Sequence, residues 1–183
     1  LIASTAGVNL TKIQKGYFPR ERWEDLAGAA ARFAEAPLYI DDSAAVSLGT
    51  IRTRIARLPI ALRAKGKRLS LVIIDQLEKV AVARVPSEQQ PKVGSGRDAE
   101  VARQLKAMAV TLNVAIIAFR KDSGAPDFPT DADIVVFLSR GARPTGPAHR
   151  TTEAIRLIIA KNRRGTTGTL RLRFSNETAS FLA

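Results

Sequence analysis

Three short, uninterrupted apolar runs, LSLVIID (69–75), VAIIAF (114–119) and DIVVFL (133–138), alternate with segments of helical periodicity. Apolar runs of this length read as strands buried on both faces, and strands that alternate with helices imply an α/β domain with a mainly parallel sheet. The helical segments are residues 20–35, with a stripe of Trp23, Leu26, Ala30 and Phe33, and residues 97–112, with Val101, Leu105, Met108 and Leu112 turned inward. Between them, Ser47 can cap a helix whose stripe is Ile51, Ile55, Leu58 and Leu62, with Pro59 marking a break or kink. Leu38-Tyr39-Ile40 reads as a short strand ending in Asp41-Asp42. Residues 84–97 read as a surface loop. The last stretch is rich in period-two segments (154–161, 169–174 and a piece near Phe181), which predicts a β-hairpin at the edge of the sheet. A chain of 183 residues without internal repeats suits one domain.

Composition narrows the chemistry. The chain has no cysteine, so disulfides, thiolate metal sites and cysteine nucleophiles are excluded. Its one histidine, His149, lies in a Gly/Pro-rich stretch and reads as a solvated loop residue. No apolar run approaches the length that spans a bilayer, and no secretory signal opens the sequence, which together suggest a cytoplasmic protein. Lys and Arg number 29 against 17 acids, a net charge of +12. The excess is clustered. Arg52, Arg54, Arg57, Arg63, Lys65, Lys67 and Arg68 follow one another with no acid between them, and nine cations from Arg140 to Arg173 share their stretch with Glu153 alone. One such cluster reads equally well as a solvated surface. Two in a small domain favour nucleic acid or bound phosphate.

Three groups of residues carry candidate chemistry. Asp75 ends an apolar strand, where a carboxylate can position the hydration shell of Mg²⁺ beside nucleotide phosphates. Many strands end in Asp only because the turn favours it, so both readings stand. Lys161 and Arg163 alternate at period two and are expected on one face of a strand end, with Gly165 and Gly168 shaping the turn behind them. They suit phosphate oxygens, a DNA-backbone clamp or a solvated basic hairpin. Arg120-Lys121-Asp122-Ser123-Gly124 and Asp131-Ala132-Asp133 flank a polar loop that either senses nucleotide or DNA or is an ordinary connection with helix-capping residues.

In chain order, PLYIDD (37–42), LSLVIIDQL (69–77), RQLKAMA (103–109), RKDSG (120–124), DADIVVFLSR (131–140) and IIAKNRRGTTGTLRLRF (158–174) resemble the RecA-like motor domain of DnaB-type hexameric helicases. The resemblance covers nearly the whole chain. It implies a RecA-like sheet flanked by helices, with a C-terminal hairpin edge. It implies ATP and Mg²⁺ as cofactors, with Asp75 as the Walker B acid acting on Mg²⁺ through water. Lys161 and Arg163 would reach the γ-phosphate held by a neighbouring subunit, Arg163 as an arginine finger. Lys92, Arg97, Arg120 and Lys121, on the loops 84–97 and 120–131, would hold single-stranded DNA in a central channel. The expected assembly is a homohexameric ring, with primase and a helicase loader as partners and 5′-to-3′ unwinding of duplex DNA as the activity. The sequence departs from the pattern in several places. It contains no G-x-x-x-x-G-K-[ST] phosphate loop, so the expectation is a partial motor domain that begins after that loop and is inactive alone. Phe119 runs almost directly into RKDSG, and Gln76 and Glu78 stand where the family favours Tyr and Gln. Two rival expectations are a non-catalytic, DNA-binding or regulatory module of the same fold, and a filament-forming recombination ATPase of the RecA and RadA class.

Overall fold

The computed structural model describes residues 1–44, 46–80, 95–121, 130–141 and 152–182, the side chains of 95–98 excepted. The chain forms two compact units, one of Leu1–Ile40 with Asp133–Ala183 and one of Asp41–Ala132.

The first unit opens with three helices, α1 (Ile2–Ala6), α2 (Leu10–Gln14) and α3 (Trp23–Glu35). Gly7 ends α1 in the left-handed region (φ 61°), and the Arg22 guanidinium donates to the carbonyls of Ala6 and Gly7 at 3.2 and 3.1 Å. Asn9 caps α2 by accepting from the Lys12 amide at 3.1 Å. On α3 the stripe is turned from its expected position. Ala29 is buried and Leu26 and Phe33 are half-buried, whereas Trp23 and Ala30 are exposed. Trp23 sits in the first turn and meets Phe18 edge-on, with ring centroids 5.9 Å apart. The strand expected at Leu38-Tyr39-Ile40 does not form, and all three side chains are exposed. A strand needs a neighbour to take its backbone groups. Here the Leu38 amide donates locally, to the Ala36 carbonyl at 2.7 Å.

The second unit contains α4 (Leu48–Arg63), β1 (Leu71–Ile74), α5 (Ser95–Leu112) and β2 (Ala115–Ala118). Ser47 caps α4 as expected, accepting from the Thr50 amide at 3.1 Å. The helix runs through Pro59 without a break. Just ahead of it, Asp41 accepts from Ser43 and pairs with Arg54, and these contacts, the Ser43 hydroxyl first, hold its carboxyl below the ordinary 3.8. Leu48, Ile74, Val80, Val101, Leu105 and Met108 form one buried cluster, with Ile51, Val72, Leu77, Leu112 and Ile116 packed against it. The helical stripes of α4 and α5 were legible in the sequence, and they meet here.

β1 and β2 pair in parallel, Leu71 opposite Ala115 through Ile74 opposite Ala118. The expectation that these runs are buried on both faces is corrected by their exposure: Leu71 is 44%, Ile73 59% and Ile117 45% exposed, while Ile74 is 8%. The helices cover one face, and among the described residues no further strand pairs with β1 or β2. Within the first unit again, β3 (Ile134–Arg140), β4 (Thr152–Asn162), β5 (Gly168–Ser175) and β6 (Ser180–Leu182) make an antiparallel sheet in that order. The expected C-terminal hairpin is therefore present, joined on one side by β3. Phe174 and Phe181 close its far end edge-on at 5.1 Å.

Candidate functional site

Parallel pairing brings the carboxyl ends of β1 and β2 side by side, the place where such sheets present ligand-binding groups. The Phe119 amide donates to the Ile74 carbonyl and the Leu77 amide to the Phe119 carbonyl, both at 2.8 Å. This lacing sets Asp75, exposed at the end of β1, beside the segment that carries Arg120 and Lys121. Gln76 follows in the left-handed region at φ 55°, ψ 62°, a conformation uncommon for a residue with a side chain and found disproportionately at functional sites. Sequence reasoning missed it, because nothing in the residue type announces it. Among the described residues no three acidic or histidine side chains gather into a metal cage. A single strand-end carboxylate fits Mg²⁺ all the same, because that ion keeps most of its waters and leans on substrate phosphates.

The second group lies at the β4–β5 turn. β4 carries a bulge opposite Val135 and Val136, after which Lys161 stands opposite Val135 and Asn162 opposite Ile134. The strand stops at Asn162, so Arg163 falls one residue beyond it, in the turn, and strand alternation does not set its direction. Asp133 sets it instead. The Arg163 amide donates to the Asp133 carbonyl at 2.9 Å, and its guanidinium meets the Asp133 carboxylate at 3.2 Å. Asn162 ties the turn from within, accepting from the Arg164 amide and donating to the Thr166 carbonyl, each at 3.3 Å. A Cβ on Gly165 would fall 2.6 Å from the Asn162 amide nitrogen, which explains glycine there. No such crowding exists at Gly168.

Asp133 and Asn162 are thus functional candidates that the sequence reading passed over. Asp133 had been read as part of a loop flank. Its pairing with a residue thirty positions away leaves no local signal. Asp75, Arg120 and Lys121 belong to one compact unit and Lys161 and Arg163 to the other. Lys92 and the side chain of Arg97 lie outside the described residues, as does most of each loop expected to hold DNA.

Residues 1–121 and 121–183 match the profile of a family described as the DnaB-like helicase C-terminal domain. The chain is 30% identical over 198 residues to the replicative DNA helicase DnaB of Leifsonia xyli subsp. xyli, covering 99% of this chain and 41% of that protein. It is 27% identical over 202 residues to the replicative DNA helicase DnaB of Geobacillus stearothermophilus, covering 100% of this chain and 42% of that protein. The chain therefore spans less than half the length of these relatives. Among solved structures, it resembles a DnaB-like replicative helicase described with its interactions with primase, at a TM-score of 0.78 and 25% identity, covering 100% of this chain and 46% of that one. It also resembles a phage-type naming aside, an ATPase domain at a TM-score of 0.77 and 25% identity, of which it covers 68%.

Proposed function

The chain belongs to the DnaB-like helicase C-terminal domain family, and from that premise we propose that it is part of an ATP-dependent replicative helicase. The whole protein would move 5′ to 3′ on single-stranded DNA as a homohexameric ring and unwind duplex DNA ahead of it. Primase and a helicase loader are the expected partners. Bound Mg²⁺ would neutralise charge on the phosphates of ATP, with Asp75 holding its water shell. Lys161 and Arg163 would serve the γ-phosphate of the adjoining subunit, since a head-to-tail interface that closes into a ring makes each subunit a donor to the next. Arg120 and Lys121, with Lys92 and Arg97, would hold the DNA backbone.

The observation that carries this reading is the clamped turn at Arg163. A group that stabilises charge appearing only in a transition state has to be held in place beforehand. An arginine tied to Asp133 through both backbone and side chain, on a turn braced by Asn162, meets that requirement. Arg163→Ala in the intact protein is expected to leave folding and nucleotide affinity near normal while turnover falls by about 10³–10⁵. Mixing that variant with one disabled in the phosphate loop should restore some activity in rings where an intact arginine faces an intact pocket. Unchanged basal ATPase in Arg163→Ala would remove the finger assignment and return the basic turn to the DNA path.

A further inference from the structure

The antiparallel sheet bears arginines that this chemistry does not use. Alternation along β4 and β5 places Arg156, Arg171 and Arg173 on one face, with Arg156 directly opposite Arg171 and Ala154 opposite Arg173. Ser139 of β3 continues the Arg156–Arg171 row. All three arginines are exposed. Among the described residues no carboxylate pairs with them, whereas Arg140, on the other face, meets Glu153 at 3.3 Å. Like charges directly opposite one another weaken a sheet. The chain nevertheless keeps two arginines in register and supplies no acid on that face to offset them.

We propose that this face is a docking track for the phosphate backbone of single-stranded nucleic acid, separate from the loops assigned above. Arg171 and Arg173 stand about 6.8 Å apart along β5, two residues of strand rise, close to two nucleotide steps of roughly 3.4 Å. Arg156 adds a third cation one strand away, about 4.8 Å across. Ser139, Ala154, Thr169 and Ser175 surround them on the same face, contributing hydroxyl groups that can donate to phosphate oxygens. The whole chain adds a net charge of +12, which draws in a polyanion of any sequence. The choice of polymer rests on the DNA reading given above, and the position of the track does not. An acidic protein segment is the competing occupant, and the experiment separates the two.

In the intact protein, binding of a labelled oligothymidylate is measured from about 50 to 200 mM salt, without nucleotide, for the wild type and the triple variant R156Q/R171Q/R173Q. Loss of three phosphate contacts should make the log–log salt slope shallower by about 2, at roughly 0.7 per contact. Affinity at the low-salt end should fall about tenfold or more, and the corresponding triple lysine variant should retain most of it. The single variant R171Q should melt no lower than wild type, because it relieves the Arg156–Arg171 opposition. Unchanged slope and affinity in the triple glutamine variant would overturn the track while leaving the loops as the DNA contact. Loss of polyglutamate binding with oligothymidylate binding intact would overturn it in favour of an acidic protein partner. A wild type that fails to bind oligothymidylate at all would sink both this proposal and the DNA reading it rests on.

Discussion

Arg163 gains its meaning from two neighbours that lie far from it or seem incidental in the sequence. Asp133 holds it from the start of β3, and Asn162 braces the turn it sits on. Both groups of the Arg163–Asp133 pair are about half exposed, so the pair adds little to stability. Its value lies in direction. Asp133→Ala in the intact protein is therefore expected to lower ATP turnover by about 10–100-fold, the scale of a misplaced group, with KM for ATP little changed. Asp133→Glu should recover part of the loss. Thermal melting should barely move in either variant. Turnover equal to wild type in Asp133→Ala would show that Arg163 needs no such partner.

Among the elements, α5 holds the second unit together. Val101 is 1% exposed, and Leu105 and Met108 pack beside it against Leu48 of α4 and Ile74 of β1. Removing most of a buried leucine costs its transfer free energy and leaves a cavity as well, so Leu105→Ala should destabilise the unit by about 2–5 kcal/mol in denaturant unfolding. Ile73 has the same type of side chain on the open face of β1, and Ile73→Ala should cost less than about 1 kcal/mol because little of it leaves water on folding. Equal losses in the two variants would mean that the two faces of β1 are covered alike. Both residues come from equally apolar stretches of sequence.

Over the whole molecule, the question is what 183 residues can do by themselves. No Gly-rich phosphate loop occurs anywhere among them, so the backbone amides and lysine that cradle a triphosphate are missing. The isolated chain is expected to show no measurable ATPase and no saturable ATP binding. Coupled-enzyme assay and equilibrium dialysis test both halves of that statement. Mg²⁺-dependent hydrolysis by this chain would mean that its nucleotide site lies elsewhere than at Asp75. Among the described residues no helix is long and apolar enough to cross a membrane.

What the sequence determined by itself was carried by periodicity and local chemistry. The stripes on α4 and α5, the Ser47 cap, the β1 and β2 runs and the terminal hairpin were all legible, because each depends on residues close together in the chain. The six blocks also carried the family resemblance, since residue identity in order is a property of sequence. Tertiary structure alone decided which face of each apolar run is covered, since an isoleucine reads the same on either side of a strand. It denied Leu38-Tyr39-Ile40 a strand, because strands exist only in pairs, and it turned the stripe of α3 away from Trp23. It also gave Arg163 its partner and set Arg156 opposite Arg171, since pairings across thirty or fifteen positions depend on the register of neighbouring strands.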